Sequence, residues 1–285
     1  MEYSETSPHS ALDSRVECLW SLAAGVSPPA TPTRVFPDGC IELIVHVGPA
    51  WSWRREGGGF ALQPDAFVVG QLTQPFWLSP AKDGLAVGAR LRAAGARAVL
   101  GADLERLRDD VVPLREFWGD EAATRLVSEL RAATDGAART AVLNDALLRH
   151  IDDANSAHSA IREAVATILE KRGDVRVAPL ARAAGWSERH FARRFEREVG
   201  CLPRQFARTV RFQHLLSLLG RDSKVDWAGL AWDSGFADQA HLIREFRRFT
   251  GATPGSFEDE ALALARRFVT PERLERYFAG SAAKD

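Results

Sequence analysis

The sequence lacks most features of a secreted, membrane or disulfide-stabilised protein. Its 285 residues include only three cysteines, Cys18, Cys40 and Cys201, which are too few and too scattered for a disulfide framework. There is no long uninterrupted apolar run, so no membrane span is expected. Residues 1–10 are polar and lack the apolar core of a signal peptide. A cytoplasmic location is therefore the default expectation.

Signals of catalysis and of cofactor or metal binding are equally scarce. No Gly-rich stretch follows the strand–loop–helix pattern of a phosphate loop, and no nucleophile–base motif is recognisable. Cys40, Glu42 and His46 fall at even spacing on a predicted strand, so their side chains point to one face. All three residue types can bind metals, but a polar face inside a barrel, or a surface-facing strand edge, is favoured here. We expect no cofactor, no metal and no enzymatic activity.

Net charge alone does not indicate a nucleic-acid partner, because the chain carries a formal charge of −1. The distribution of charge along the chain does indicate such a partner. Residues 159–257 contain 17 Lys/Arg against 11 Asp/Glu, whereas residues 1–150 contain 15 against 19. A DNA duplex attracts the basic half and repels the acidic half. This asymmetry is typical of a DNA-binding module joined to a domain of another kind.

A duplicated motif dominates residues 175–254. Phe195 and Phe246 lie 51 residues apart. The same offset relates Arg193 to Arg244, Gly200 to Gly251, and Pro203 to Pro254. Gly185 and Gly235 are 50 residues apart, so the turn of the second copy has one inserted residue. Repetition at one offset indicates two copies of a compact helical unit.

Each copy has the outline of a helix-turn-helix, with a short Leu/Ala helix, a Gly-containing turn and a longer helix. Ser187 and Asp238 are placed to cap the longer helices. Phe191, Phe195 and Val199 form one apolar stripe on the first of these helices. Between the copies, a helix of about 16 residues is predicted, about 24 Å long at 1.5 Å per residue. An Arg-rich amphipathic helix alone is usually just solvated, but two matching copies favour a DNA-binding unit.

This stretch closely resembles the C-terminal domain of AraC/XylS-type transcription regulators. The resemblance implies two helix-turn-helix units that enter successive major-groove segments on one DNA face. Carried over by position, the base-reading candidates are Arg189, Ala192, Arg193, Gln239, Ala240, Ile243 and Arg244. Arg pairs well with guanine and Gln with adenine, so specificity should fall on these types. Nearby arginines suited to phosphate contact are Arg194, Arg197, Arg247 and Arg248.

The N-terminal half has short strand-like runs up to about Gly95 and helical patterns after it. Residues 36–44 resemble the opening of a cupin-like sensor domain found on some AraC-type regulators, and residues 90–96 resemble its exit into helices. The predicted fold is therefore α+β. A cupin-like β-barrel with following helices precedes an all-α domain of two helix-turn-helix units. The resemblance implies that the barrel binds a small effector and that the helices pair subunits.

Four residues are candidates for an effector pocket, since such pockets are mostly apolar with a few polar groups. They are His46, Trp51, Trp53 and Trp77, and Phe76 is a further aromatic candidate. A role as plain core is the competing interpretation for the aromatic residues. Predicted domains are residues 1–155, residues 156–257 and an extension at 258–285. Expected partners are double-stranded DNA, a small effector, a second copy of the chain and, for an activator, RNA polymerase.

Two alternatives remain open to the sequence. One is an enzyme, such as a DNA-repair transferase using Cys40 or Cys18, that carries a DNA-binding tail. The other is a regulator without a ligand, whose N-terminal half serves only to dimerise.

Overall fold

The computed structural model describes residues 1–26, 31–219 and 226–254. The predicted extension at 258–285 lies outside the described residues. The strands are β1 (Glu2–Thr6), β2 (Val16–Ala23), β3 (Thr33–Val35), β4 (Ile41–His46), β5 (Ser52–Arg55), β6 (Ala61–Leu62), β7 (Ala66–Val69), β8 (Phe76–Ser79), β9 (Leu85–Leu91) and β10 (Val111–Pro113). The α-helices are α1 (Ala96–Leu100), α2 (Arg115–Ala132), α3 (Gly136–His150), α4 (Ser159–Glu170), α5 (Val177–Ala183), α6 (Glu188–Val199), α7 (Pro203–Leu218), α8 (Trp227–Asp233) and α9 (Gln239–Thr250).

The strands form two antiparallel open sheets. One has the order β1-β2-β9-β4-β7-β10 and the other β3-β8-β5-β6. In the larger sheet, Leu43 pairs with Ala89 of β9 and Val68 of β7, which places β4 near the centre. The α+β fold predicted from the sequence is confirmed, with the strands arranged as two open sheets.

Strand β4 shows why the larger sheet has two different faces. Side chains alternate along a strand. Ile41, Leu43 and Val45 are fully buried in an apolar cluster that includes Leu126 of α2 and Leu147 of α3. Helices α2 and α3 therefore cover this face.

The alternate side chains of β4 face the other way. Glu42, Ile44 and His46 line a cavity together with Leu78 of the smaller sheet. The cavity thus lies between the two sheets, on the side of the larger sheet that α2 and α3 do not cover.

The C-terminal half is entirely helical in its described residues, with α5–α6 and α8–α9 as the two helix-turn-helix units. Helix α7 joins them and has 16 residues, as predicted. Its apolar side chains enter two clusters, since Phe206 and Val210 pack with the first unit and Phe212 and Leu215 with the second. An ion pair joins Arg208 of α7 to Glu245 of α9.

The two halves are in direct contact. Phe36, which follows β3, packs in the cluster of the second helix-turn-helix unit with Phe212 and Phe246. Gln213 of α7 donates from Nε2 to the carbonyl oxygen of Pro37 at 2.7 Å. Arg34 of β3 donates to the carbonyl oxygen of Thr250 at 3.0 Å. The segment from β3 to β4 is therefore packed between the sheets and the second unit.

The described part of the chain contains no helix that is both long and apolar enough to cross a membrane.

Candidate nucleic-acid interface and enclosed cavity

Helices α6 and α9 begin at the predicted caps. The side chain of Ser187 accepts from the backbone N–H of His190 at 3.3 Å, and that of Asp238 accepts from His241 N–H at 2.6 Å. These bonds satisfy backbone donors that the first helical turn leaves without partners. Both cap predictions are confirmed. Gly200 and Gly251 end the two helices with φ of 92° and 74°, a left-handed conformation that favours glycine.

The apolar stripes of α6 and α9 are buried as their spacing predicts. Phe191, Phe195 and Val199 are inaccessible to solvent. Leu242 and Phe246 are buried in the same way on α9. Each stripe anchors its helix to α7 and the short helix before it, which leaves the opposite face of each helix outward.

The base-reading candidates lie on these outward faces. Arg189, Arg193, Gln239, Ala240 and Arg244 are exposed. Among the described residues, none of the three arginines has a hydrogen-bond or ion-pair partner. Guanidinium groups in this state are available to base edges or phosphates.

The remaining two base-reading candidates, Ala192 and Ile243, are half-buried at the edges of the outward faces. Their small or apolar side chains suit contact with thymine methyl groups.

The four predicted phosphate contacts divide into two groups. Arg247 and Arg248 are exposed near the end of α9. Arg194 instead donates to Glu198 at 2.7 Å and lies over the Trp186 ring at 5.3 Å. Arg197 donates twice to Asp103 of the N-terminal half, at 3.0 and 2.8 Å. In this conformation Arg194 and Arg197 therefore serve the packing of α6 rather than presenting free charge.

A cavity of about 130 Å³ lies between the two sheets. Its walls are largely aromatic and aliphatic, with contributions from Trp20, Ile44, Phe67, Phe76 and Leu78. Polar residues also line it, namely Arg34 and two groups. One surrounds Arg90 and Glu42, and the other contains His46 and Gln63.

The predicted pocket residues do not all reach this cavity. His46 and Trp51 line it. Trp53 contacts Phe76 edge-on at 6.0 Å and lines a smaller neighbouring cleft instead. Trp77 lies on the outer face of the smaller sheet, where Arg34 and Arg54 lie over its ring at 5.5 and 4.9 Å. Trp53 and Trp77 thus do not line this cavity.

The physical reason is strand register. Phe76 and Leu78 face the cavity, so Trp77 between them must face outward. The sequence run alone does not show which of two alternating faces is the inner one.

Arg90 organises one end of the cavity. Its guanidinium donates to Glu42 at 2.8 Å, to Glu5 at 3.0 Å and to the Tyr3 hydroxyl at 3.4 Å. Glu42 also accepts from Trp20 Nε1 at 2.7 Å. Burial disfavours the charge on Arg90, but Glu42 and the other groups around the guanidinium, Glu17 among them, together outweigh burial and raise the Arg90 pKa. This group is a satisfied, charged network.

His46 organises the other end. Its Nε2 lies 3.1 Å from Oε1 of Gln63 and 3.5 Å from the Trp51 backbone N–H. Its Nδ1 is buried and has no partner among the described residues. Burial lowers the pKa of His46 and outweighs the hydrogen bond to Oε1 of Gln63, so the imidazole is neutral at neutral pH.

The thiols carry no sign of reactivity. Cys18, Cys40 and Cys201 are all buried. Burial raises the pKa of Cys18 to about 12 despite the nearby Arg90 charge, and burial likewise raises the pKa of Cys201. A thiol with a raised pKa is a poor nucleophile at neutral pH. Within the described residues, no group of three or more His, Cys, Asp and Glu could hold a metal ion.

Several important residues escaped prediction from the sequence. Gln63 and Phe67 line the cavity next to His46, and Phe36 lines it while packing against the second helix-turn-helix unit. Gln63 precedes a short apolar run and has no local signal. Phe36 lies in the quoted cupin-like stretch, but its contact with α7 depends on residues about 180 positions away, which no local pattern reveals.

Comparison with known proteins gives matches for both halves. Residues 180–260 match the family described as a helix-turn-helix domain (HTH_18). The chain is 35% identical over 97 residues to the HTH-type transcriptional regulator GlxA of Rhizobium meliloti, a span that covers 34% of this chain. The C-terminal half is therefore similar to the helix-turn-helix domains of transcription regulators. Residues 4–113 match a domain of unknown function (DUF6597).

The matches differ in how much of each protein they cover. This chain spans 29% of the length of GlxA. Among solved structures, ToxT of Vibrio cholerae is 12% identical, with 80% of this chain and 96% of that chain covered and a TM-score of 0.43. A ToxT structure with bound unsaturated fatty acid is 13% identical, with 83% and 90% covered and a TM-score of 0.41.

Proposed function

We propose that the protein is a sequence-specific DNA-binding transcription regulator of the AraC type, controlled by a small molecule in its N-terminal cavity. The observation that carries the proposal is the pair of capped helices, α6 and α9, which expose Arg193 and Arg244 while burying equivalent phenylalanines. Such helices suit the major groove, and helix α7 of 16 residues separates the two units. We infer no enzymatic role, in keeping with the buried thiols.

A contact between the cavity wall and helix α7 supports control by a ligand. Phe36 and Asp38 line the cavity. Between them, the carbonyl oxygen of Pro37 accepts from Gln213 of α7. A ligand that moves this segment therefore changes contacts with the helix that joins the two DNA-reading units. This link favours a ligand-controlled regulator over one whose N-terminal half only dimerises.

The domain limits and further partners are also proposals. We place the boundary between residues 155 and 156, just before α4 and after a 3₁₀ helix at Asp153–Asn155. We infer that α2 and α3 pair two copies of the chain, which size-exclusion chromatography with light scattering tests. RNA polymerase is a partner if the protein activates transcription.

The test begins with the genomic DNA fragments that the purified protein retains. Fluorescence anisotropy on one retained fragment should show affinity that falls steeply with salt, because phosphate contacts release counterions. Arg193→Ala and Arg244→Ala should each cost about 1–3 kcal/mol if each arginine reads a base.

Arg55→Ala is the matched control. Arg55 lies on β5 and pairs with Asp110 at 2.7 Å, outside both helix-turn-helix units and outside α2 and α3. Unchanged affinity in both recognition-helix variants would remove these arginines as readers. If the protein retained no specific fragment, the assignment as a regulator would be wrong.

A further inference from the structure

The size and walls of the cavity restrict what it can hold. Its volume is about 130 Å³, comparable with the apolar cavities of about 150 Å³ that accept benzene. Phe67 is fully buried in the wall and lies 5.4 Å from the His46 ring, and Trp51 lies 5.7 Å from the same ring. Flat aromatic walls and this volume suit one aromatic ring.

The Arg90 end of the cavity is already organised by the protein. Arg90 donates to Glu42, Glu5 and Tyr3, and Glu42 accepts from Trp20 as well. Both signs of charge are present there in one network. A charged ligand of either sign would have to compete with these bonds while losing its own water, which is costly in an apolar cavity.

The His46 end differs because two buried polar atoms, Nδ1 of His46 and Nε1 of Trp51, lack a partner among the described residues, and Nε1 of Trp51 lies against Gly84. Gln63 and the backbone of Trp51 occupy the Nε2 side of the imidazole, whereas Nδ1 is buried and unpaired. Buried polar atoms are normally hydrogen-bonded, so an exception calls for an explanation. A ligand group bonded to Nδ1 provides one.

The tautomer of His46 decides whether Nδ1 donates or accepts. A hydroxyl suits both cases, since it is at once donor and acceptor. His46 and Glu42 are four positions apart on β4, about 13 Å at 3.3 Å per residue. A single ring held at the His46 end therefore leaves the Arg90 network intact.

We propose that the cavity binds a small uncharged phenol, with its ring against Phe67 and Trp51 and its hydroxyl on Nδ1 of His46. The inference deepens the proposed function and rests on it for its regulatory meaning, because it names the chemical class of the effector. Binding itself does not depend on whether the chain recognises DNA.

Isothermal titration calorimetry on the full chain tests the ligand class with four probes of similar size. These are p-cresol, toluene, benzoate and benzylamine, which is a cation at neutral pH. We expect p-cresol to bind at least tenfold more tightly than toluene, and benzoate and benzylamine more weakly than p-cresol. Equal binding of toluene, stronger binding of either charged probe, or no binding of p-cresol would overturn the proposal.

His46→Phe tests the assigned atom, because phenylalanine keeps a ring and removes both nitrogens. We expect p-cresol affinity to fall about tenfold, the size of one hydrogen bond, with little loss for toluene. His150→Phe is the control, since His150 stacks on Trp118 at 4.0 Å outside the cavity. An unchanged preference for p-cresol in His46→Phe would reject the role of Nδ1.

The four probes on the unmodified chain still test the ligand class if His46→Phe fails to fold. DNA binding without ligand separates the two proposals. If the chain retains a specific fragment but ignores p-cresol, the ligand class is wrong and the regulator stands. If it binds p-cresol but no specific DNA, the ligand class stands and the assignment as a regulator is wrong.

Discussion

At the scale of single residues, His46 combines complete burial with a titratable ring. It is inaccessible to solvent and has aromatic neighbours in Trp51 and Phe67. Burial lowers its pKa below the ordinary value near 6.5, because the apolar surroundings disfavour the imidazolium. The unfolded chain therefore binds a proton more readily than the folded chain.

The sign of the resulting pH dependence follows. Well above about pH 6.5, His46 is neutral in both the folded and the unfolded state, so its titration does not change the free energy of unfolding. As pH falls below this value the unfolded state gains a proton first, so stability decreases. Urea unfolding between pH 8 and 5 should show a smaller loss in His46→Phe than in the unmodified chain. His150→Phe should keep the full loss, and equal losses in all three proteins would contradict the prediction.

Asp238 is a second residue whose effect can be measured. Its carboxylate accepts from His241 N–H at 2.6 Å at the start of α9. Asp238→Ala should lower the free energy of unfolding by about 1 kcal/mol, the usual cost of a lost cap. Asp120→Ala is the control, because Asp120 is an exposed carboxylate on α2. If the urea midpoint shifted equally in both variants, the Asp238 cap would not be what stabilises α9.

At the scale of elements, the close approach of α4 to α7 depends on Gly173. This residue follows α4 with φ of 78°, a left-handed conformation. A Cβ built there would lie 2.2 Å from the carbonyl oxygen of Ala207 in α7. The nearest atoms belong to the backbone of α7, so no flexible side chain can move aside to relieve the clash. The position of α7, and with it the placement of both recognition helices, therefore requires glycine here.

Gly173→Ala should destabilise the protein by clearly more than the ~1–2 kcal/mol of left-handed strain alone. Gly101→Ala measures that strain by itself, because Gly101 has φ of 66° and nothing within 4 Å of a built Cβ. Thermal unfolding of the two variants gives the comparison. If Gly101→Ala lost as much stability as Gly173→Ala, the steric account of the α4–α7 contact would fail.

At the scale of the whole molecule, the two halves share buried residues. Phe36 from the sheet region is 8% exposed and packs in the cluster formed by α7, α8 and α9. Cys40 and Ala93 contribute in the same way to the cluster of the first unit. Ion pairs from Asp103 to Arg197 and from Arg108 to Glu196 lie across the same junction. Shared cores of this kind couple the unfolding of the two halves.

Phe36→Ala should therefore change the form of the unfolding transition as well as its midpoint. We expect the unmodified chain to unfold in one calorimetric transition. The variant should lose about 3–5 kcal/mol, as for other buried phenylalanines, and show two separated transitions. Phe60→Ala, at a residue 46% exposed, is the control. A single transition at an unchanged midpoint in Phe36→Ala would show that the halves unfold independently of this contact.

Local patterns in the sequence determined much of this molecule. The 51-residue repeat can be read directly from the sequence. The caps at Ser187 and Asp238 and the length of α7 depend on interactions within a few residues. Helical periodicity and capping are short-range, so they can be recognised without a fold. The outward positions of Arg193 and Arg244 follow from the same periodicity, since they lie opposite the buried phenylalanines.

Only the tertiary structure decided the cavity and the contact between the halves. Alternation along β8 allowed Trp77 either face, and the pairing of β8 with β3 and β5 put it outside. Gln63 joined His46, and Phe36 reached α7, through contacts between distant segments. Which strand face is buried depends on what the rest of the chain packs against it, and that information is spread over the whole sequence.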